Sequence, residues 1–268
     1  MNKQRFVAFA SLLALFVIAM SVAEFFPSTR AYLPTFQGFW DGVMHGNAMA
    51  DKAQTPPATP HSAPLPHKKN NQTAVLALSW LPAFCESAAV KRECTTQTAT
   101  RYDARNFSLH GLWPEAEYCT RAPYENVNGK LWQAMQTAMP STASGLHKHE
   151  WEKHGTCYAD TPDQYFADSL RLVVALNKGP VQALFVRKAG QYLASSDIRS
   201  ALDAAYGKGA GARLSVVCLN DGERRLIQEL RLNLRGLIAK EDIASLLAKA
   251  DPANPGCQGG IVDPVGLQ

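Results

Sequence analysis

"LHKHEWEKHGTC", residues 146–157, carries three histidines, two lysines and two glutamates in twelve positions and ends on Gly-Thr-Cys. The spacing of its residues predicts a helix over 146–154. A helix turns about 100° per residue, so four chemically useful side chains share one arc of it. These are His149, Glu150, Lys153 and His154. Trp151 falls on another face, where we expect it to pack into the core.

Three interpretations of this run are open on these residues alone: a metal site, an acid–base site, and a solvated face with i,i+4 charge pairs. An H-E-x-x-H zinc helix needs histidines four positions apart on one face. His149 and His154 are five apart and splayed by about 140° on an ideal helix. Zinc is therefore disfavoured. With His149 placed at 0° around the helix axis, His147 lies near 160°. It is either a bystander or an auxiliary donor.

A second segment, "SLHGLWPE" (108–115), places His110 in an otherwise apolar strand that Pro114 ends. A lone histidine in a strand is usually a hydrogen-bonded core residue. Together with the histidines, the lysine and the glutamate of the helix, however, His110 completes a set of side chains that could transfer protons at a phosphodiester. That chemistry needs a base, an acid, and donors for the developing negative charge.

The remaining pattern indicates an α+β domain with a mainly antiparallel sheet, because strands and helices do not alternate regularly. Hydrophobic patterning predicts strands at 74–80, 107–113, 213–218 and 224–235, and helices at 130–139, 163–177 and 240–249 as well as 146–154.

The two segments resemble the two active-site segments of the ribonuclease T2 family: "HGLWP" (110–114) and "HEWEKHGTC" (149–157). "LALSWLPAFCE" (76–86) is similar to the first strand of the family's bacterial, periplasmic ribonuclease I branch. The resemblance covers residues 74–268. It implies a disulfide-stabilised α+β fold of packed helices on a mainly antiparallel sheet, and an enzyme that cuts RNA with no metal and no cofactor.

The resemblance also implies a role for each catalytic position. His154 matches the general base that takes the 2′-hydroxyl proton, and His110 matches the general acid that protonates the leaving 5′ oxygen. His149 matches the phosphate-binding histidine. Glu150 and Lys153 match the pair that stabilises the phosphorane. The implied products are 2′,3′-cyclic phosphates, which then open to 3′-phosphates.

Base recognition is less defined by the resemblance. Trp113 fits a base-stacking role, and Glu115 stands where the family often has Asp or Asn, so we expect cleavage of single-stranded RNA with low base specificity. The alternative function is a catalytically silent RNA-binding or signalling protein of the same fold. It is disfavoured because all five catalytic positions hold the expected residue types.

The N-terminal part of the chain predicts export. Lys3 and Arg5 precede eighteen uncharged residues, 6–23, which end on a small-x-small sequence. Residues 1–23 are therefore a cleaved signal peptide or a retained anchor in the inner membrane. Residues 24–73 predict a proline-rich disordered spacer. Residues 74–268 form the predicted catalytic domain, and we expect it in the periplasm or the medium.

The charge balance argues against a broad basic surface. Residues 74–268 hold 21 lysines and arginines against 20 aspartates and glutamates, so the net charge of +4 comes largely from the N-terminal part. Non-specific nucleic-acid binding normally depends on an excess of positive charge. We therefore expect RNA to be bound at a local site, by a protein that acts as a monomer.

Six cysteines, all beyond residue 80, predict three disulfides in an exported chain. Spacing alone leaves the connectivity open. The family resemblance implies the pairs Cys85–Cys94, Cys119–Cys157 and Cys218–Cys257. The second pair would tie the strand that carries His110 to the helix that carries His154.

Overall fold

The computed structural model describes residues 72–267. The predicted export segment, 1–23, and the predicted spacer up to residue 71 lie outside the described residues. The first strand begins at Gln72, so the last two residues that the sequence analysis assigned to the spacer belong to the sheet. Within the described range, no helix has both the length and the apolar character that crossing a membrane requires.

The described residues form six strands, nine α-helices, one π-helical segment and three short 3₁₀ segments. The strands are β1 (Gln72–Ser79), β2 (Ser108–Pro114), β3 (Tyr192–Ala194), β4 (Leu214–Asp221), β5 (Arg224–Gly236) and β6 (Gly259–Ile261). The helices are α1 (Leu81–Ser87), α2 (Arg92–Thr95), α3 (Gly129–Ala138), α4 (Leu146–Glu150), α5 (Thr156–Tyr158), α6 (Pro162–Asn177), α7 (Pro180–Lys188), α8 (Ser195–Tyr206) and α9 (Ile243–Lys249). The π-helical segment, Trp151–Gly155, joins α4 to α5.

The four predicted strands are present as β1, β2, β4 and β5. The predicted helices outside the histidine-rich run are present as α3, α6 and α9. The sequence patterns did not predict α1, α2, α5, α7, α8, β3 or β6. Both missed strands have only three residues, and so short a segment has no readable hydrophobic period.

The strands form one sheet in the order β2-β1-β5-β6-β3, with β4 paired to β5. All pairings are antiparallel except the short contact of β5 with β6. The predicted mainly antiparallel α+β fold is therefore confirmed. β1 lies between β2 and β5, so side chains of those two strands come into contact only across β1.

Helix α6 packs against the sheet and against the histidine-rich helical run. Its Tyr165 is fully buried, and its hydroxyl bonds both the N–H and the C=O of Leu112, each at 3.1 Å. Trp151 is 1% exposed and lies beside Tyr165, which confirms its predicted core position. Full burial of a large apolar side chain stabilises a fold by about 1.5–3 kcal/mol. This packing therefore holds the helical run firmly against β2.

The structure forms the three disulfides that the resemblance implied, Cys85–Cys94, Cys119–Cys157 and Cys218–Cys257. Cys119 lies in the loop after β2, and Cys157 lies in α5. Next to this bridge, the Tyr118 N–H donates to the Lys153 carbonyl at 2.8 Å. The loop that follows β2 is thus attached to the histidine-rich run at two adjacent points.

Candidate active site

His110 occupies a β-bulge. In the pairing of β1 with β2, Ala77 lies opposite Gly111 and Leu78 lies opposite Leu109, which leaves His110 as the extra residue. A bulge bends its strand and redirects a side chain, and bulges are frequent beside active sites. The local backbone therefore sets the direction of the His110 ring, which is only partly exposed.

The His110 ring reaches across β1 to a residue of β5. Its Nδ1 lies 2.5 Å from Oε2 of Glu229, although 119 positions separate the two residues in the chain. Glu229 pairs with Ser79, and Arg231 pairs with Ala77, so the middle strand offers two small side chains at this place. Because they are small, the longer side chains of the outer strands can meet above them.

Both carboxylate oxygens of Glu229 are engaged: Oε2 by His110, and Oε1 by Nε of Arg231 at 2.5 Å. Burial acts to raise the pKa of Glu229, but the hydrogen bond and charge of His110, followed by those of Arg231, outweigh it and lower the pKa. For His110, burial has the opposite effect and acts to lower the pKa. The hydrogen bond and charge of Glu229 outweigh it, so the pKa of His110 is raised.

Glu150 brings a second carboxylate to the same imidazole. Its Oε1 lies 3.7 Å from Nε2 of His110, and its Oε2 accepts a hydrogen bond from Nε1 of Trp113 at 2.8 Å. A β-carbon at Gly111 would lie 1.9 Å from Oε2 of Glu150, so only glycine admits this carboxylate. Glu150 is 1% exposed, and burial raises its pKa to about 6.

The histidine-rich run departs from the single α-helix that the sequence predicted. The helix is α-helical to Glu150 and π-helical from Trp151 to Gly155. In a π-helix the hydrogen bonds run from i to i+5, so residues five apart are about one turn apart. The ideal α-helical angle between His149 and His154 therefore overestimates their separation around the axis.

His154 is buried and stacks on the indole of Trp113, with ring centroids 5.5 Å apart at 29°. Burial, followed by the charge of Lys153, lowers the pKa of His154 to about 4. Trp113 also meets His110 edge to face at 5.1 Å, and the guanidinium of Arg231 lies 5.0 Å from the centre of its ring. The indole thus contacts both imidazoles.

The remaining predicted residues lie at the rim of this cluster. Lys153 is partly exposed, with Nζ 3.3 Å from Oε1 of Glu117 in the loop after β2. His149 is exposed near the end of α4, close enough for its charge to act on His154. Glu115 is exposed, and no hydrogen bond or ion pair among residues 72–267 joins it to the other predicted site residues.

His147 lies apart from this cluster. It is 5% exposed, and its ring packs edge to face against Tyr124 and Trp132 at 5.0 and 5.1 Å. Burial, followed by the charge of Lys148, lowers the pKa of His147. Of the two roles that the sequence left open, these contacts favour the bystander.

The sequence patterns did not indicate that Glu229, Arg231 and Glu117 belong to the site. Glu229 and Arg231 belong to the run "ELRLNLR" (229–235), in which polar and apolar residues alternate. Such alternation predicts a solvated strand face, so nothing local marks Glu229 as buried. The one usable signal was two opposite charges at i and i+2, which place both side chains on the same face of a strand.

The cluster has the composition of an acid–base site. The pKa values of its two inner histidines are shifted in opposite directions, so near neutral pH one imidazole can donate a proton while the other accepts one. Within residues 72–267, no three His, Cys, Asp or Glu side chains come together in a group that could hold a metal ion.

Comparison with known proteins shows the family of this chain. The model of the ribonuclease T2 family matches residues 71–245. The chain belongs to the ribonuclease T2 family. Among the curated members, it is similar to ribonuclease I of Escherichia coli, with 25% identity over 223 residues that cover 68% of this chain and 82% of that protein. It is also similar to ribonuclease T2 of Sus scrofa, with 33% identity over 118 residues, 38% of this chain and 58% of that one.

Solved structures of T2 ribonucleases share the fold. The self-incompatibility associated SF11-RNase of Nicotiana alata superposes with a TM-score of 0.51 at 19% identity, covering 69% of this chain and 94% of that one. Human RNase T2 superposes with a TM-score of 0.50 at 22% identity, covering 72% and 98%. At these identities the superpositions show a shared fold and no more.

Proposed function

We propose that this chain is an exported endoribonuclease that cleaves single-stranded RNA by metal-independent transphosphorylation. The observation that carries the proposal is the pair of inner histidines, His110 and His154. Both rings contact the indole of Trp113, and their pKa values are shifted in opposite directions. A transfer that removes one proton and delivers another needs such a pair.

In the first step, neutral His154 takes the proton of the 2′-hydroxyl, and the 2′ oxygen attacks the adjacent phosphorus. Protonated His110 gives its proton to the 5′ oxygen as the bond between phosphorus and that oxygen breaks. The products are a 2′,3′-cyclic phosphate and a 5′-hydroxyl end. DNA lacks the 2′-hydroxyl and is therefore not a substrate.

Three further groups act on the phosphate. Lys153 and His149 provide positive charge and donors for the non-bridging oxygens, which become more negative in the phosphorane. Glu150, whose pKa burial raises to about 6, is protonated in part of the molecules at mildly acidic pH. In that form it donates a hydrogen bond to a phosphoryl oxygen, and together with Lys153 it stabilises the phosphorane.

The second step opens the cyclic phosphate with water. The two histidines exchange roles: His110, now neutral, takes a proton from water, and His154 returns its proton to the 2′ oxygen. The product is a 3′-phosphate, and both histidines regain their starting protonation states. Because the roles reverse, loss of either histidine affects both steps.

We also propose low base specificity, with Trp113 and Glu115 at the base-binding position. Stacking on an aromatic ring is tolerant of base identity, since every base has a π face. Trp113 contacts two histidines, so a base bound beside its indole would lie next to the reacting groups. The exposed carboxylate of Glu115 would add at most a modest preference for bases that donate hydrogen bonds.

Export is the remaining part of the proposal. The three disulfides support an oxidising compartment. The charged start and apolar run of residues 1–23 support a route through the inner membrane, ending in the periplasm or the medium. We propose that the segment is either cleaved or kept as an anchor, and that the catalytic domain acts as a monomer.

The test is incubation of the purified chain with homopolymeric RNAs and with DNA in EDTA, followed by identification of the product ends. We expect cleavage of all four RNAs with 2′,3′-cyclic ends, and intact DNA. Each of the variants His110→Ala and His154→Ala should lower kcat by about 10²–10⁴-fold. RNA binding without products would instead support the silent alternative, and activity restored by a metal would exclude this mechanism.

A further inference from the structure

We propose that Glu229 is a positioning residue for the general acid: its carboxylate holds the His110 ring so that the Nε2 proton faces the leaving 5′ oxygen. This inference rests on the acid role proposed for His110. It adds to the site a residue from β5, a strand that carries neither of the two family motifs.

The contact with Glu229 determines which nitrogen of His110 carries the transferable proton. Nδ1 of His110 lies 2.5 Å from an acceptor-only carboxylate oxygen, so Nδ1 carries a hydrogen and donates it to Glu229. The proton available for transfer is then the one on Nε2. That nitrogen faces the site, since it lies 3.7 Å from Glu150, which Trp113 in turn holds in place.

Glu229 is itself fixed, so it can fix the ring. Arg231 holds its other oxygen at 2.5 Å, and the residue is 6% exposed. A carboxylate anchored at both oxygens cannot rotate away from the imidazole. Among the described residues, the side chains that it bonds are those of His110 and Arg231, so the network leads from β5 to the acid.

The balance of charge around His110 also depends on Glu229. From β5, Glu229 and Arg231 face it; from α4, Glu150 faces it; and from the π-helical segment, His154 lies near it. Burial disfavours the charged imidazole, and Arg231 opposes it as well. Two carboxylates oppose these effects, and only Glu229 makes a direct hydrogen bond to the ring. Removing its charge should therefore lower the fraction of protonated His110.

The test variant is Glu229→Gln, which has the same shape without the charge. It should be compared on two substrates: an RNA dinucleotide, whose 5′-alkoxide leaving group needs a proton, and a uridine 3′-(4-nitrophenyl phosphate), whose leaving group needs none. We expect kcat to fall by about 10²-fold or more on the dinucleotide, which is the order of a lost general acid. On the aryl ester the loss should stay below about 10-fold.

The pH profile provides a second readout. Since the acid acts in its protonated form, a lower pKa of His110 moves the alkaline limb to lower pH. A hydrogen bond to a charged group corresponds to a shift of about 1–2 pH units. Glu229→Asp keeps the charge but withdraws it from the ring, so it should shift the limb less and retain more activity than Glu229→Gln. If Glu229→Gln does not fold, the aspartate variant tests the same two readouts.

The matched control is Glu86→Gln. Glu86 on α1 is another buried carboxylate, with Oε2 3.1 Å from a guanidinium nitrogen of Arg224, and it lies outside the site. A purely structural effect of removing such a carboxylate should change both substrates equally and leave the alkaline limb in place.

NMR titration of His110 in the folded protein separates this inference from the proposed function. Glu229→Gln should lower the titration midpoint of His110, whether or not the protein cleaves RNA. An inactive wild-type protein with that NMR shift would reject the ribonuclease proposal and keep the positioning contact. An unchanged His110 titration, or equal losses on the two substrates, would overturn the role of Glu229.

Discussion

The indole Nε1 of Trp113 donates a hydrogen bond to Oε2 of Glu150 at 2.8 Å, and this bond joins β2 to the helix that carries the other site residues. The same indole stacks on His154. Trp113 is therefore a structural centre of the site, and its proposed contact with a base adds to this role. The carboxylate that it bonds is almost fully buried, so the bond compensates a desolvated charge.

Replacing Trp113 with phenylalanine should destabilise the fold in a pH-dependent way. The variant keeps an aromatic ring but removes the donor to Glu150, whose pKa burial raises to about 6 and the indole hydrogen bond partly lowers. The loss should reach about 1–3 kcal/mol at pH 8, where Glu150 is ionised, and be smaller at pH 5. Denaturant unfolding at both pH values measures it.

The rate profile should be bell-shaped with widely spaced limbs. The base acts when neutral, so kcat/KM should rise as pH passes the His154 pKa of about 4, which burial and then Lys153 lower. The acid acts when protonated, so kcat/KM should fall above the raised pKa of His110, at a pH higher than 6.5. Stopped assays on a dinucleotide from pH 3 to 9 check both limbs. An alkaline limb below pH 6 that Glu150→Gln does not move, so that ionisation of Glu150 with its pKa of about 6 is not its source, would contradict the assignment of His110 as the acid.

His149 and His147 should respond differently to replacement by alanine. His149 is exposed at the rim, so its loss should raise KM for RNA by about 10-fold, the order of one charge-assisted hydrogen bond, with a smaller effect on kcat. His147 packs between two aromatic rings, so its loss should lower stability by about 1–3 kcal/mol and leave kcat nearly unchanged below the unfolding transition. A larger drop in kcat for His147→Ala than for His149→Ala would refute this placement.

Glu117→Gln should strengthen substrate binding. Its carboxylate lies 3.3 Å from Nζ of Lys153 and competes with the scissile phosphate for that charge. Exposed ion pairs contribute about 0.2–1 kcal/mol, so KM should fall by up to about 5-fold at low salt, and less at high salt. Glu125→Gln, an exposed carboxylate later in the same loop, should leave KM unchanged. A higher KM for Glu117→Gln would show that Glu117 assists binding instead.

The Cys119–Cys157 disulfide at the site should contribute more to stability than the Cys85–Cys94 disulfide, which closes a shorter loop between α1 and α2. Cys119–Cys157 spans 38 positions and Cys85–Cys94 spans 9, which in the chain-entropy description correspond to about 4 and about 2.5 kcal/mol. Paired alanine variants and thermal unfolding compare them. The Cys119–Cys157 variant should also lose activity at temperatures where it remains folded, because the bridge attaches the loop that follows β2, the strand of His110, to the helical run that carries His154. Equal activity in both variants would argue against that role.

The sequence by itself determined which motif residues make up the candidate site, and much of its framework. The motif histidines, Glu150 and Lys153 lie within short, locally patterned segments, and the strand and helix patterns there come from hydrophobic periodicity that a local window contains. The burial of Trp151 followed from the same periodicity. The disulfide pairs came from the family resemblance, since spacing alone leaves them open.

Only the tertiary structure decided how these residues meet. Glu229 reaches His110 because β1 lies between their strands with Ala77 and Ser79 beneath them, a matter of sheet register across 119 positions. The bulge at His110 is likewise a property of a strand pair, and no single strand encodes it. The π-helical turn after Glu150 departs from the period that local prediction assumes. Contacts of this kind depend on packing between distant segments, so the opposite pKa shifts of His110 and His154 exist only in the folded chain.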